Sequence, residues 1–301
     1  MTAPITYRRG EPRDFVPTWR VFTTAAAHLA RTNGWPPVAR PPQPTERFLA
    51  FRRSVVAHDP DGFWVAERGA ELVGFGIAVQ REQIWYLAAL HVMPDEQAAG
   101  VGRELTRRCL ASAHRGSVLT VGADARNPVS NALYGKFGMF PQVTLLEVAG
   151  PVYEAAAGGA LRLRPGAPDA AVLARLDRAI LDAARPEDHA FWAATPNLAA
   201  YSVCRGDDVV GYAYVQADGA IGPVAVASPE DLAETVDLVV RAAGELGAPA
   251  AHVRIPGVAR SSIARLLAQG WRYGDGPVLV LTSAPWGHWE GYITSGADAL
   301  L

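Results

Sequence analysis

The chain has 301 residues, of which 50% are hydrophobic and 19% charged, and its formal net charge is −2. That composition allows two domains of ordinary size and excludes global disorder. The near-neutral charge, without a long basic run, excludes nucleic acid as an expected partner. No apolar run reaches the ~20 residues of a membrane span or resembles a signal peptide, so no membrane association is expected and the expected location is the cytoplasm.

In chain order, residues 13–33 read as a helix, with Trp19, Phe22, Ala26 and Leu29 at helical spacing. Residues 33–44 carry Pro36, Pro37, Pro41, Pro42 and Pro44 and read as a loop. A helix near 45–57 follows, then strands near 63–68, 72–80 and 84–92. A helix is predicted from Gly100 to His114, a strand over 117–124, a helix over 128–137 and a strand over about 140–149. Gly158-Gly159 is the linker candidate, and from Leu161 the plan begins again. Cys109 and Cys204 are far apart and lack Cys-x-x-Cys or Cys/His spacing, so two reduced thiols are expected, with no disulfide and no metal site.

The chain repeats itself. Trp64 to Gly69 followed by Leu72 to Val79 resembles Tyr201 to Gly206 followed by Val209 to Val215, each a strand, a polar turn and a strand. Val92-Met93-Pro94 resembles Val226 to Pro229, and Leu133 to Gly138 resembles Arg265 to Gly270. The offsets of Gly74 to Gly211, Pro94 to Pro229 and Gly138 to Gly270 differ by only a few residues. The expected fold class is therefore α+β, built twice over residues 1–155 and 160–301, each a mixed, largely antiparallel sheet flanked by helices.

The sharpest local feature runs from Val92 to Leu105. A strand leaves through Leu90, His91 and Val92, and Pro94 stops it. A turn of Gln97, Ala98 and Ala99 then delivers Gly100, Val101, Gly102 and Arg103 to the start of an amphipathic helix with Val101, Leu105 and Cys109 on one face. The first N–H groups of a helix lack internal partners, the helix dipole adds positive potential there, and glycine lets a phosphate approach the backbone. Arg103 adds a charge. The loop has neither the Gly-Lys-Ser/Thr of a Walker loop nor the Gly-x-Gly-x-x-Gly of a dinucleotide site.

Gln97-Ala98-Ala99-Gly100-Val101-Gly102 resembles the Gln/Arg-x-x-Gly-x-Gly/Ala motif of the GNAT family of N-acetyltransferases. About thirty residues on, Asn127-Pro128-Val129-Ser130-Asn131-Ala132-Leu133-Tyr134 and the following Gly-Lys-Phe-Gly-Met resemble the family's second signature, with Met139 in place of the usual Phe. The resemblance covers about residues 60–148 well and the second half in outline. It implies two GNAT-like domains in tandem and acetyl-CoA as co-substrate, without a metal. Residues 97–103 would hold the pyrophosphate, and the strand ending at Leu90, His91 and Val92 would pair with the pantetheine arm. Asn127, with Asn131 and Tyr134 on the same helix, completes the cofactor set. Asn127 also reads as the cap of that helix.

The reaction implied is direct attack of a neutral amine on the thioester. Tyr134 matches the family's acid for the leaving thiolate, and otherwise reads as a buried helix tyrosine. For the general base, His91 and Glu82 are both candidates, and loss of the proton to solvent is a third option. The second half lacks this chemistry: Val226 to Leu232 has no glycine, and Leu266 stands in the place of Tyr134. That points to a degenerate repeat that walls the acceptor pocket or forms a homodimer interface. Its aromatics Phe191, Trp192, Tyr201, Tyr212, Tyr214, Trp286, Trp289 and Tyr292 supply material, and the tail Pro285–Tyr292 is expected to cover the acceptor or a partner chain.

The layout is similar to that of self-resistance bleomycin N-acetyltransferases, which implies a small-molecule antibiotic amine as acceptor. Mycothiol synthase also has a tandem layout, but there the C-terminal half carries the chemistry. A protein or peptide amine, or a non-catalytic acyl-CoA-binding module, are the alternatives.

Overall fold

The computed structural model describes residues 3–36, 39–154 and 158–295. The chain divides into two compact units, one of residues 1–80 and 85–119, the other of residues 81–84 and 120–301.

The first unit holds β1 (Ile5–Arg9), α1 (Phe15–Thr32), α2 (Glu46–His58), β2 (Phe63–Arg68), β3 (Glu71–Arg81), β4 (Ile84–Val92) and α3 (Val101–Leu110), with strand order β1-β2-β3-β4. Helix α1 buries Phe15, Thr18, Trp19, Val21 and Ala25 along one stripe. The Thr45 side chain caps α2 by accepting from the Phe48 N–H at 3.2 Å. Helix α3 buries Val101, Leu105 and Cys109, as its periodicity predicts, and burial of each such side chain contributes about 1.5–3 kcal/mol. Strand β1 was not expected from sequence. Its Arg8 and Arg9 read as polar, but Arg8 spends its charge on Asp14 (2.7 Å) and Glu67 (2.6 Å) while the backbone pairs antiparallel with β2.

The second unit holds β5 (Val118–Asp124), α4 (Pro128–Gly135), β6 (Phe140–Pro151), β7 (Leu161–Pro165), α5 (Ala170–Leu181), α6 (Pro186–Ala193), β8 (Leu198–Arg205), β9 (Asp208–Gln216), β10 (Ala220–Val226), α7 (Asp231–Glu245), β11 (Ala250–Pro256), α8 (Arg260–Ala268), β12 (Arg272–Tyr273), β13 (Val278–Thr282) and β14 (Tyr292–Ile293). The order of its large mixed sheet is β5-β13-β6-β11-β10-β9-β8-β7, with β12 on β6 and β14 on β10. The expected α+β class is present, with helices flanking the sheet.

The repeat survives in detail. The β2–β3 hairpin shifts register between Ala66 and Glu67, and the β8–β9 hairpin shifts between Val203 and Cys204, the matching place. The compact units nevertheless do not follow the expected boundary between residues 155 and 160, of which 155–157 lie outside the described residues. Strand β6, from the first repeat, is hydrogen-bonded between β13 and β11 of the second, and β13 also pairs with β5. Pairing of strands from different repeats ties residues 120–151 to the second unit. The aromatic tail is also placed differently from expectation. Trp286, Trp289 and Tyr292 are buried, and β14 pairs antiparallel with β10, so the tail is core of the second unit.

Cys109 and Cys204 are buried free thiols, and burial pushes the Cys109 thiol up to about 12. No described helix is long and apolar enough to cross a membrane. Cys109 also explains two glycines of β3. A Cβ on Gly76 would lie 2.8 Å from its Sγ, and one on Gly74 would lie 3.1 Å from Leu105 Cδ1. Only hydrogen at these positions lets α3 lie this close to the sheet. Gly76→Val is therefore expected to lower stability by about 1–3 kcal/mol or more in urea unfolding, and an unchanged midpoint would contradict this packing.

Candidate functional site

The loop after β4 is built by local backbone chemistry. Met93 N–H donates to Val73 O at 2.8 Å, and Pro94, which has no N–H to give, ends the strand. A single 3-10 turn, Pro94–Glu96, follows. The Gln97 side-chain amide reaches back to donate to Val92 O at 3.0 Å, tethering the loop to the strand end. Ala98 (φ 69°) and Gly100 (φ 80°) are both left-handed, with Gly100 the residue before the first turn of α3. Left-handed residues in such a run turn successive N–H groups to one side, the concavity that binds anions.

The backbone N–H groups of residues 98–103 have no hydrogen-bond acceptor among the described residues. Gln97, Ala98 and Ala99 are exposed. Of the three nearby acids, Asp95 is exposed and the other two are held by arginines. Arg68 grips Glu96 with two bonds of 2.5 Å and holds its carboxyl below the usual range. Arg107, with Arg108, does the same for Glu104. Arg103 is exposed, and its guanidinium lies 3.9 Å from where a Gly100 Cβ would be. The surface so formed combines N–H donors, a helix N-terminus and one cation, which suits a diphosphate.

The matching stretch of the second repeat is built otherwise. Asp231 N–H donates to Ser228 O at 3.0 Å and Leu232 N–H to Pro229 O at 3.2 Å, so the helix start is already engaged. Glu230 and Asp231 put carboxylates there, one bound to the Ser228 hydroxyl and the other to Arg205. Leu266, in the place of Tyr134, is fully buried.

In the second unit, Asn127 caps α4, its side chain accepting from Ser130 N–H at 3.2 Å. Asn131 Nδ2 donates to Asp124 O (3.1 Å) and Ala125 O (3.3 Å), fixing the turn that leads into the helix. Its Oδ1 is buried without a partner among the described residues. Tyr134 is 6% exposed, on the last turn of α4, and Met139 is buried beyond it.

Of the two base candidates, Glu82 lies in the turn between β3 and β4 and His91 on β4. The Glu82 backbone is left-handed (φ 44°). Its carboxylate is bound by Arg178 at 2.6 Å and by the Ala184 N–H at 3.1 Å, and Arg178 holds its pKa below the ordinary value. A carboxylate so engaged is a poor proton acceptor. His91 stands between Phe22 (5.0 Å) and Phe75 (5.3 Å). Burial, reinforced by Arg52 and Arg40, lowers its pKa to about 3, so the ring is neutral and weakly basic at neutral pH.

Sequence reading missed Arg52. It is 4% exposed, donates to Thr18 Oγ1 at 2.8 Å and lies 3.1 Å from the Phe48 ring centroid. The signal was present: Phe48, Phe51, Arg52 and Val55 share the inward stripe of α2, and an arginine in that stripe is the exception.

His91 has a consequence for acid stability. The unfolded residue takes its proton near 6.5 and the folded one near 3, so the unfolded chain binds more protons between those values and stability falls as pH drops through that window. His91→Phe is expected to flatten the decline of the urea midpoint between pH 6.5 and pH 4. A decline as steep as the parent's would contradict the burial of a neutral ring.

With this geometry in place, comparisons with known proteins bear on the same segment. Residues 27–139 match the model of the Acetyltransferase (GNAT) family. A mycothiol acetyltransferase from Streptomyces bingchenggensis is 38% identical over 98 residues, covering 31% of this chain and 32% of the relative. One from Streptomyces coelicolor is 32% identical over 104 residues, covering 33% of this chain and 34% of the relative. The chain thus spans about a third of the length of these curated relatives. Among solved structures, a candidate acetyltransferase from Pyrococcus horikoshii aligns with TM-score 0.75 at 18% identity, covering 99% of this chain and 96% of the other. A tandem GNAT protein from the clavulanic acid biosynthesis pathway aligns with TM-score 0.61 at 14% identity, covering 94% and 99%. Residues 27–139 carry the sequence pattern of the acetyltransferase (GNAT) family, and the chain has a GNAT-like fold.

Proposed function

We propose that this protein is an acetyl-CoA-dependent N-acetyltransferase that acts on a primary amine of a small molecule. The observation that carries the reading is the row of unengaged N–H groups at residues 98–103, lying within the family-matched segment. Those groups, with Arg103, fit a diphosphate: donors face an anion, and the glycines leave room for it. Leu90, His91 and Val92 are the proposed backbone partners of the pantetheine arm, and Asn127 and Asn131 shape the start of the helix that carries Tyr134.

The amine lone pair attacks the thioester carbonyl carbon, forming the C–N bond and pushing charge onto the carbonyl oxygen. Collapse breaks the C–S bond, and the thiolate takes a proton from Tyr134. The amine nitrogen gives up a proton. Glu82 is held by Arg178, and His91 titrates near 3, so neither supports a strong base. The amine proton is proposed to leave to water. For the acceptor, a bleomycin-type glycopeptide is the first candidate by layout, and the relatives named for mycothiol acetylation favour that reaction as the second reading.

Mass spectrometry of an amine panel incubated with acetyl-CoA tests the proposal. The expected result is one compound gaining one acetyl group; acetyl-CoA binding with no product from any amine would favour the non-catalytic module. Gly100→Glu is expected to weaken acetyl-CoA binding at least ~10-fold by calorimetry, because the side chain is strained at φ 80° and repels a diphosphate. Tyr134→Phe is expected to leave acetyl-CoA affinity nearly unchanged and to slow turnover on the order of 10²-fold; weaker binding at normal turnover would refute the acid role. With the amine's own deprotonation setting the rate, kcat/KM should rise with pH along the acceptor's titration, and Glu82→Gln should leave that profile in place. A profile shifted by this variant would restore Glu82 as base.

A further inference from the structure

Three arginines are buried among the described residues, Arg52, Arg81 and Arg185. Two of them face carboxylates. Arg81 pairs with Asp188 at 2.6 Å. Arg185 pairs at 3.3 Å with Asp177, which lies in the inward stripe of α5 and also accepts from the Tyr212 hydroxyl at 2.6 Å. Arg52, in the first unit, has no carboxylate partner among the described residues. A buried charge without a counter-charge is the costly case, so its presence asks for a reason.

The Arg52 guanidinium is held in one place all the same. Nε donates to Thr18 Oγ1 at 2.8 Å and Nη1 to Phe48 O at 3.3 Å, and the Thr18 hydroxyl is itself fixed by donating to Phe15 O at 2.7 Å. The guanidinium carbon lies 3.1 Å from the Phe48 ring centroid and 5.3 Å from that of Phe75. Nη2 has no acceptor among the described residues.

The neighbours add positive charge, not negative. The Arg40 guanidinium lies 4.9 Å from the Phe22 ring centroid, Phe22 packs on His91, and Arg40 has no ion pair among the described residues. Burial lowers the Arg52 pKa to about 9, with no carboxylate working against it, so the charge is kept at neutral pH. Arg52 and Arg40 both oppose a proton on His91.

Hydrogen bonds and ring faces thus orient the Arg52 cation without neutralising it. Phe22, Phe48 and Arg40 are part-exposed, so the cluster meets the surface. A fixed planar fork with a donor to spare, a second cation on the same aromatic cluster, and apolar rings that limit hydration together suit a carboxylate.

We propose that Arg52, assisted by Arg40, recognises a carboxylate of the amine acceptor, which makes the acceptor an amino-acid-type molecule. As a statement about the acceptor this rests on the acetyl-transfer reading; as a carboxylate site it stands without it.

The test titrates the full chain with benzoate and benzamide, a carboxylate and a neutral molecule of nearly the same shape, by ligand-observed NMR. Benzoate is expected to bind at least ~10-fold more tightly, the worth of one charge-assisted hydrogen bond. Arg52→Met should abolish that preference, and Arg40→Met, in the loop before α2, should reduce it about two- to threefold. Gly100→Glu should leave it in place, because the diphosphate loop is not the benzoate site. Equal binding of the two probes to the parent chain, or a preference that survives Arg52→Met, would overturn the proposal. Where Arg52→Met does not fold, Arg40→Met decides, and an undiminished preference there would overturn it as well. Amino acids and their amides, incubated with acetyl-CoA, separate the two readings. Acids and amides acetylated alike would refute the carboxylate role and leave acetyl transfer intact. An Arg52-dependent benzoate preference without any acetylated amine would support the carboxylate site and count against acetyl transfer.

Discussion

A helix whose first N–H groups are to meet an anion must be aimed, and in the first unit Gly74 and Gly76 set the aim. Leu105 and Cys109 occupy the space that side chains at those positions would take. Helix α3 therefore lies close on β3, and its start is fixed with respect to the end of β4. Pro94 ends that strand, and Gln97 ties the loop back to Val92. The left-handed turns at Ala98 and Gly100 then present the backbone outward. Each step is a small local effect, and the concavity follows from their sequence.

Charge is managed with equal economy. Arg68 binds Glu96, Arg107 and Arg108 bind Glu104, and Arg103 lies beside Gly100. The second repeat keeps the strand–turn–helix plan but fills the same place with Glu230, Asp231 and turn hydrogen bonds. A fold duplicated in outline thus leaves the N–H groups of residues 98–103 without acceptors among the described residues in one copy and puts carboxylates at the helix start in the other. The second copy gathers its polar groups elsewhere, around Asp177.

Much of this was legible in the sequence because it is local. Helical spacing gives α1, α2 and α3; Pro94 and the glycines give the loop; the paired hairpins give the repeat. What was not legible depends on partners distant in sequence. Nothing in Phe140–Pro151 says that it will lie between strands of the second repeat, since alternation marks a strand but not its neighbours. The same holds for Glu82, whose role depends on Arg178, and for the aromatic tail, which became core. Arg52 and Asp177 were readable in principle, as charged residues in inward helical stripes.

The most direct test of the account is amide hydrogen exchange with and without acetyl-CoA. The account predicts strong protection of residues 98–103 on addition of acetyl-CoA and none at residues 226–232, the matching stretch of the second repeat. Exchange at 98–103 that stays unchanged at saturating acetyl-CoA would contradict the assignment of this loop as the diphosphate site.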